Sequence, residues 1–192
     1  MSRLRHLIII PIIIVMAGPV AANGTSSADA ANAREIVKSF AETLKGRLVT
    51  ALSEQGPVHA VDVCHVDAPG IAREHEAASG WTVARTSLKV RNPDNAPDAW
   101  ERQVLESFAQ RAAAGEDLAK MEHIETVERD GGKVLRYMKA IPMGEEPCMT
   151  CHGDNLQPEL AAKIDELYPQ DQARGFQPGE LRGAFTLSRP LD

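Results

Sequence analysis

The chain lacks a basic patch: 27 Asp and Glu stand against 21 Lys and Arg in 192 residues, a formal net charge of −6. An acidic chain of this kind is a poor nucleic-acid binder. It lacks an internal repeat, which leaves no signature of a solenoid or propeller. It also lacks an apolar run of the roughly 20 residues that a membrane-spanning helix needs. Aromatics are few, at 4%, while the apolar fraction of 43% is ordinary for a globular domain. Cysteine is scarcer still, with three in the whole chain, too few for a disulfide framework.

Two of those three cysteines stand in Cys148-Met149-Thr150-Cys151-His152. Thiols at that spacing add across the two vinyl groups of a porphyrin, and the adjacent imidazole reaches the iron from one face. The motif therefore predicts one covalently attached haem c, with Cys148 and Cys151 as anchors and His152 as proximal ligand. The N-terminus agrees. Arg3 and Arg5 precede the apolar run Leu7–Ala17, and small residues follow to Ala22, the layout of a secretory signal. Residues 1–22 are expected to be that signal, and the location periplasmic, because covalent haem attachment occurs on the exported side of the membrane. The membrane enters only through the alternative in which the leader is retained as an anchor. Loss of Arg3 and Arg5 with the leader takes the net charge from −6 to −8. About 170 residues remain, enough for one domain with a real core.

Residues 23–33, rich in Ala, Ser and Asn, read as a linker or a frayed helix start, with a single domain over 34–192. Ile36, Phe40, Leu44, Leu48 and Leu52 recur every four residues and predict one long amphipathic helix ending near Gly56-Pro57. Val58–Cys64 is short, apolar and β-branched, a buried strand or an irregular connection. Asp67 before Ala68-Pro69 predicts an N-cap for a helix that stops at Gly80. A strand is expected over Trp81–Lys89, a turn-rich loop over 91–97 and a helix over 98–114. A hairpin over 122–129 and 133–141 turns at Asp130-Gly131-Gly132, the haem motif follows in a loop, a helix covers 158–168 and a last strand covers 181–189. Single strands and a hairpin separated by helices, without regular βαβ alternation, indicate an α+β fold with an antiparallel sheet. A class I cytochrome c is almost wholly helical with its motif near the N-terminus, so this is a different scaffold.

The second axial position decides what a haem here does. The candidate ligands are Cys64, His65, His59, His75, His123, Met121, Met138 and Met143. Cys64 is the odd thiol once two are consumed; such a residue is either buried and inert or bound to something. Arg85 and Arg91 are candidates for the haem propionates, or alternatively for holding their loop through Asp94, Asp98 or Glu101. Trp100 reads as core, the methionines as fillers, His123 as a surface residue, and Glu74-His75-Glu76 as a solvated helix face.

Val63-Cys64, Ala68-Pro69 with Ile71-Ala72, and Arg85-Thr86-Ser87-Leu88-Lys89 form part of a wider pattern. So do Arg91–Glu101, Cys148–Gly153, Tyr168-Pro169, Gly175-Phe176, Gly179-Glu180 and Arg182-Gly183-Ala184. Together they resemble the Tll-like haem-binding domain family, long catalogued as a domain of unknown function, over about residues 33–190. The resemblance implies a PAS-like, five-stranded antiparallel sheet flanked by helices. It also implies a His/Cys axial pair with the thiolate at Cys64, so that Cys64 and His152 are the iron ligands. His65, beside Cys64, offers an imidazole as the alternative.

The expected function is a periplasmic single-haem c-type cytochrome, acting as a redox or ligand sensor or as a low-potential electron carrier. Iron held on both faces has no open position, so no enzymatic activity is expected. No signalling segment accompanies the domain, so the output is expected through a redox or signalling partner protein. Two alternatives use the same cysteines: a structural zinc site of Cys3His type from Cys64, Cys148, Cys151 and His65 or His152, and a thiol–disulfide protein working through Cys148 and Cys151.

Overall fold

The structure, a computed structural model, describes residues 27–191. The expected leader lies outside the described residues, as do residues 23–26 of the expected linker. From Ser27 the chain is helical. Helix α1 spans Ser27–Asp62 and carries the anticipated stripe, with Ile36, Phe40 and Leu44 buried. Ala30 and Ala33 are buried too, so 27–33 is the first two turns of this helix and not a linker.

The regular helix breaks at Gly56-Pro57, where its end was expected, and a second helical stretch resumes across the kink to Asp62. Gly56 takes φ 81°, ψ 176°, a conformation cheap for glycine alone, and Pro57 then opens the next turn, where its missing N–H costs nothing. Val58–Cys64 is therefore neither strand nor irregular connection. Ala60, Val61 and Val63 are buried along a helical path, and tertiary packing overrides β-branched propensity. The chain then passes through a π-helical turn, Val63–Asp67, into helix α2, Ala68–Ser79. Asp67 has helical dihedrals and caps nothing; it accepts a hydrogen bond from Arg47 at 3.0 Å. Helix α2 stops at Gly80, as expected, with φ 72°.

The sheet has four antiparallel strands in the order β1-β4-β3-β2. They are β1 Thr82–Thr86, β2 Glu122–Arg129, β3 Gly132–Pro142 and β4 Leu181–Leu191. This is one strand fewer than the resemblance implies. The stretch that could have supplied a fifth, Val58–Cys64, is helical. Asp130 and Gly131 turn the β2–β3 hairpin at φ 54° and 80°, a tight turn of the anticipated kind.

Alternation along the central strands covers both faces. Leu135 and Tyr137 of β3 and Leu187 of β4 share one cluster with Phe40, Leu44 and Ile71 from α1 and α2. Met138 and Ala140 of β3 and Ala184 of β4 meet Leu105 and Phe108 of helix α3, Ala99–Ala113, on the opposite face. Three layers result. A capping box between Asp98 and Glu101 starts α3, and Glu101 accepts from Thr186 Oγ1 at 2.7 Å, fastening the helix to β4. Each large apolar side chain buried this way contributes roughly 1.5–3 kcal/mol.

Beyond β3 the chain forms a short helix α4, Cys148–His152, and helix α5, Pro158–Leu167. The Cys-x-x-Cys-His segment is thus one helical turn, not the expected loop. Helical geometry lets both thiols and the imidazole project from a single turn.

Candidate functional site

The apolar stripe of α1 has two uses. Its first half packs on the sheet, while Leu44, Leu48 and Leu52 reach over a cavity of about 300 Å3, a ligand-sized space. Opposite them lie α4, the ends of β1 and β3, and the start of β4. Cys148, Cys151 and His152 line this cavity, and so does Cys64. Residues 84 positions apart, Cys64 and Cys148, are thereby brought to one space. The π-helical turn sets Cys64 there; such turns insert an extra residue and rotate the side chains that follow.

The His152 ring is fixed with one nitrogen left free. Its Nδ1 lies 2.8 Å from the Ala173 carbonyl, an acceptor only, so Nδ1 carries the proton and Nε2 keeps its lone pair. Burial, with the Arg182 and Arg91 guanidiniums nearby, keeps the imidazole well below its usual titration range and hence neutral. Phe176 packs its ring edgewise on the imidazole, centroids 6.3 Å apart, and its N–H donates to the His152 carbonyl at 3.0 Å.

Arg91 organises this corner. Its Nε donates to Asp171 Oδ1 at 3.0 Å, and its Nη2 donates to the carbonyls of Cys151 at 2.7 Å and Ala173 at 3.0 Å. The pair is buried, with side-chain exposures of 10% and 2%. Burial pushes the Asp171 carboxyl up, but hydrogen bonds from Arg91 and the Ala173 N–H outweigh it and hold the group below its usual range. Of the two roles open to Arg91, the structure shows the loop-holding one, with Asp171 as the carboxylate and not Asp94, Asp98 or Glu101.

The other candidates sort by position. His65 is exposed and does not line the cavity; its ring meets the edge of Tyr168 at 5.3 Å. Tyr168 itself lines the cavity, and burial, with the Cys64 sulfur beside it, pushes its phenol up to about 12. His59 is exposed. His75 sits between Phe40 and Ser39, half-buried, so only Glu74 and Glu76 of that trio are solvated. His123 pairs with Glu125 at the surface. Met121 and Met138 are fully buried in the α3-side core, whereas Met143 lines the cavity. Trp100 packs under Arg136, away from the cavity.

The four charged side chains that line the cavity are all cations: Lys45, Arg85, Arg91 and Arg182. In an acidic protein this contrast is local and specific. The sequence places Arg182 only within the family pattern and assigns it no role, because nothing in its neighbours signals one. A cavity with two thiols and a neutral imidazole on one wall, an apolar roof and cationic lining suits a flat apolar group bearing carboxylates. Haem has that chemistry, and the residues present fit it. Zinc fits less well: among the described residues no three or more His, Cys, Asp or Glu side chains converge as a metal site. Burial pushes the Cys151 thiol up to about 11, so it rests protonated at neutral pH.

A sequence model of the Tll0287-like family matches residues 21–190. Among solved structures, the crystal structure of the cyanobacterial heme-protein Tll0287 is similar to this chain, with 28% identity and a TM-score of 0.66. The match covers 88% of this chain and 98% of that one. No curated protein matches.

Proposed function

The chain belongs to the Tll0287-like family, and on that premise we propose that it binds one haem c covalently and serves as a periplasmic redox or ligand sensor or low-potential electron carrier. What carries the reading is the meeting of Cys148, Cys151, His152 and Cys64 on one cavity with no carboxylate in its lining. The similarity to a solved heme-protein supports it.

Cys148 and Cys151 would hold the macrocycle through thioether bonds. His152 would ligate through Nε2, its ring fixed by Ala173, and Cys64 would take the opposite face as thiolate. The bound group supplies one-electron chemistry at its iron. An anionic sulfur favours the ferric state and would give a low potential. With both faces held, no position is left for a substrate, and the proposal assigns no enzymatic reaction. The leader over residues 1–22 and a PAS-like, signal-relaying use of the fold belong to the same proposal. So does a partner protein that receives the electron or the signal.

The test is export from a host with cytochrome c maturation machinery, followed by denaturing electrophoresis and mass spectrometry. Haem should remain on the peptide containing Cys148 and Cys151, and the paired change of both to Ser should remove it. A colourless wild-type protein from that host would overturn the reading.

A further inference from the structure

Arg182 and Arg85 are guanidiniums that no described carboxylate engages in an ion pair. Both line the cavity, and neither forms an ion pair with any described residue, whereas Arg91 beside them is already engaged by Asp171. Lys45, the remaining cation, is exposed on α1 and stays hydrated. Arg85 and Arg182 are half-buried. Burial first, then the Arg91 and Arg85 guanidiniums, depress Arg182 to about 10, against a smaller opposing pull from the Cys64 sulfur and Asp171.

The backbone beneath them is rigid. Arg85 of β1 stands opposite Phe185 of β4. Ser87 Oγ donates to the Arg182 carbonyl at 2.7 Å. At Gly183 the strands approach so closely that a Cβ would lie 2.4 Å from the Thr86 carbonyl oxygen. Phe176 supports Arg182 from one side, its ring 5.3 Å from the guanidinium carbon. Two half-buried guanidiniums on paired strands in an apolar cavity suit two anions, and a planar fork matches a carboxylate in two hydrogen bonds.

We propose that Arg182 and Arg85 clamp the two haem propionates and set the orientation of the macrocycle in the cavity. The proposal rests on the haem reading above. Of the two candidates the sequence offered for the propionates, it keeps Arg85 and puts Arg182 in place of Arg91. Both residues are positioning residues; neither touches the iron.

The test uses the exported, haem-loaded protein and its Arg182→Gln, Arg85→Gln and Arg182→Lys variants. Three readouts apply: covalent haem content, the midpoint potential, and the propionate bending bands in resonance Raman spectra. Each Gln variant should keep its haem. Its ferric-to-ferrous ratio at fixed potential should rise about tenfold, because a cation that opposes oxidation is gone. The propionate bands should shift, and Arg182→Lys should recover most of the potential but not the bidentate Raman signature. Haem-loaded Gln variants with unchanged potential and unchanged propionate bands would overturn the clamp while leaving the haem reading intact. Wild-type protein without covalent haem would remove both.

Discussion

Arg91→Ala should destabilise the domain by about 3 kcal/mol, near the lower end for breaking a buried ion pair. The structure sets that size. The change removes two hydrogen bonds to Asp171 (3.0 and 3.2 Å) and one each to the Cys151 and Ala173 carbonyls. It leaves an almost fully buried carboxylate behind. The loss is moderated because Arg174 Nε and the Ala173 N–H still reach Asp171, at 2.7 and 2.9 Å. In a domain of this size about 3 kcal/mol corresponds to a melting temperature lower by roughly 6–12 °C. Far-UV circular dichroism melts of the haem-loaded protein measure it. Acid dependence gives a second readout. Asp171 is held below its ordinary value of 3.8 when folded, so its contribution is full above about pH 4 and fades as pH falls through the folded value. Without Arg91 the burial effect gains ground and the fade begins at higher pH. A variant melting within about 2 °C of wild type, with an unchanged acid limb, would refute the role assigned to Arg91.

Gly183→Ala should cost about 1–3 kcal/mol through forced separation of β1 and β4, visible as a lower urea midpoint, because its Cβ would meet the Thr86 carbonyl. Asp98→Ala should cost about 2 kcal/mol by the same assay, since it removes the N-cap of α3 and one of the two carboxylates on Arg136. Asp98→Asn should recover part of that loss by restoring the cap. His65→Ala should leave the low-spin absorption spectrum unaltered in both redox states, because the ring lies outside the cavity against Tyr168; a changed spectrum would return His65 to the ligand set.

The haem motif was legible because its residues are adjacent in the chain, so spacing alone carries the chemistry. The long N-terminal helix, the Gly80 stop and the Asp130-Gly131 turn were legible for a similar reason: each rests on local periodicity or a local dihedral requirement. Cys64 stood out as a leftover thiol, yet its place on the cavity depends on the π-helical turn, which nothing between Val58 and Asp67 announces. The same stretch, open between a buried strand and an irregular connection, is helical, since β-branched residues follow whichever element buries them; the fifth strand came from the resemblance. From the sequence, Arg182 entered only as part of the family pattern, with no role. Its standing comes from the ion pair it does not form in three dimensions with any described residue, and the partner that took Arg91 lies 80 residues away at Asp171.

Electron paramagnetic resonance of the oxidised, haem-loaded protein, wild type beside Cys64→Ala, tests the central claim most directly. The account predicts a low-spin, thiolate-type signal in the wild type that disappears in the variant while covalent haem stays attached through Cys148 and Cys151. The same signal in both proteins would contradict it, because the ligand opposite His152 would then not be Cys64.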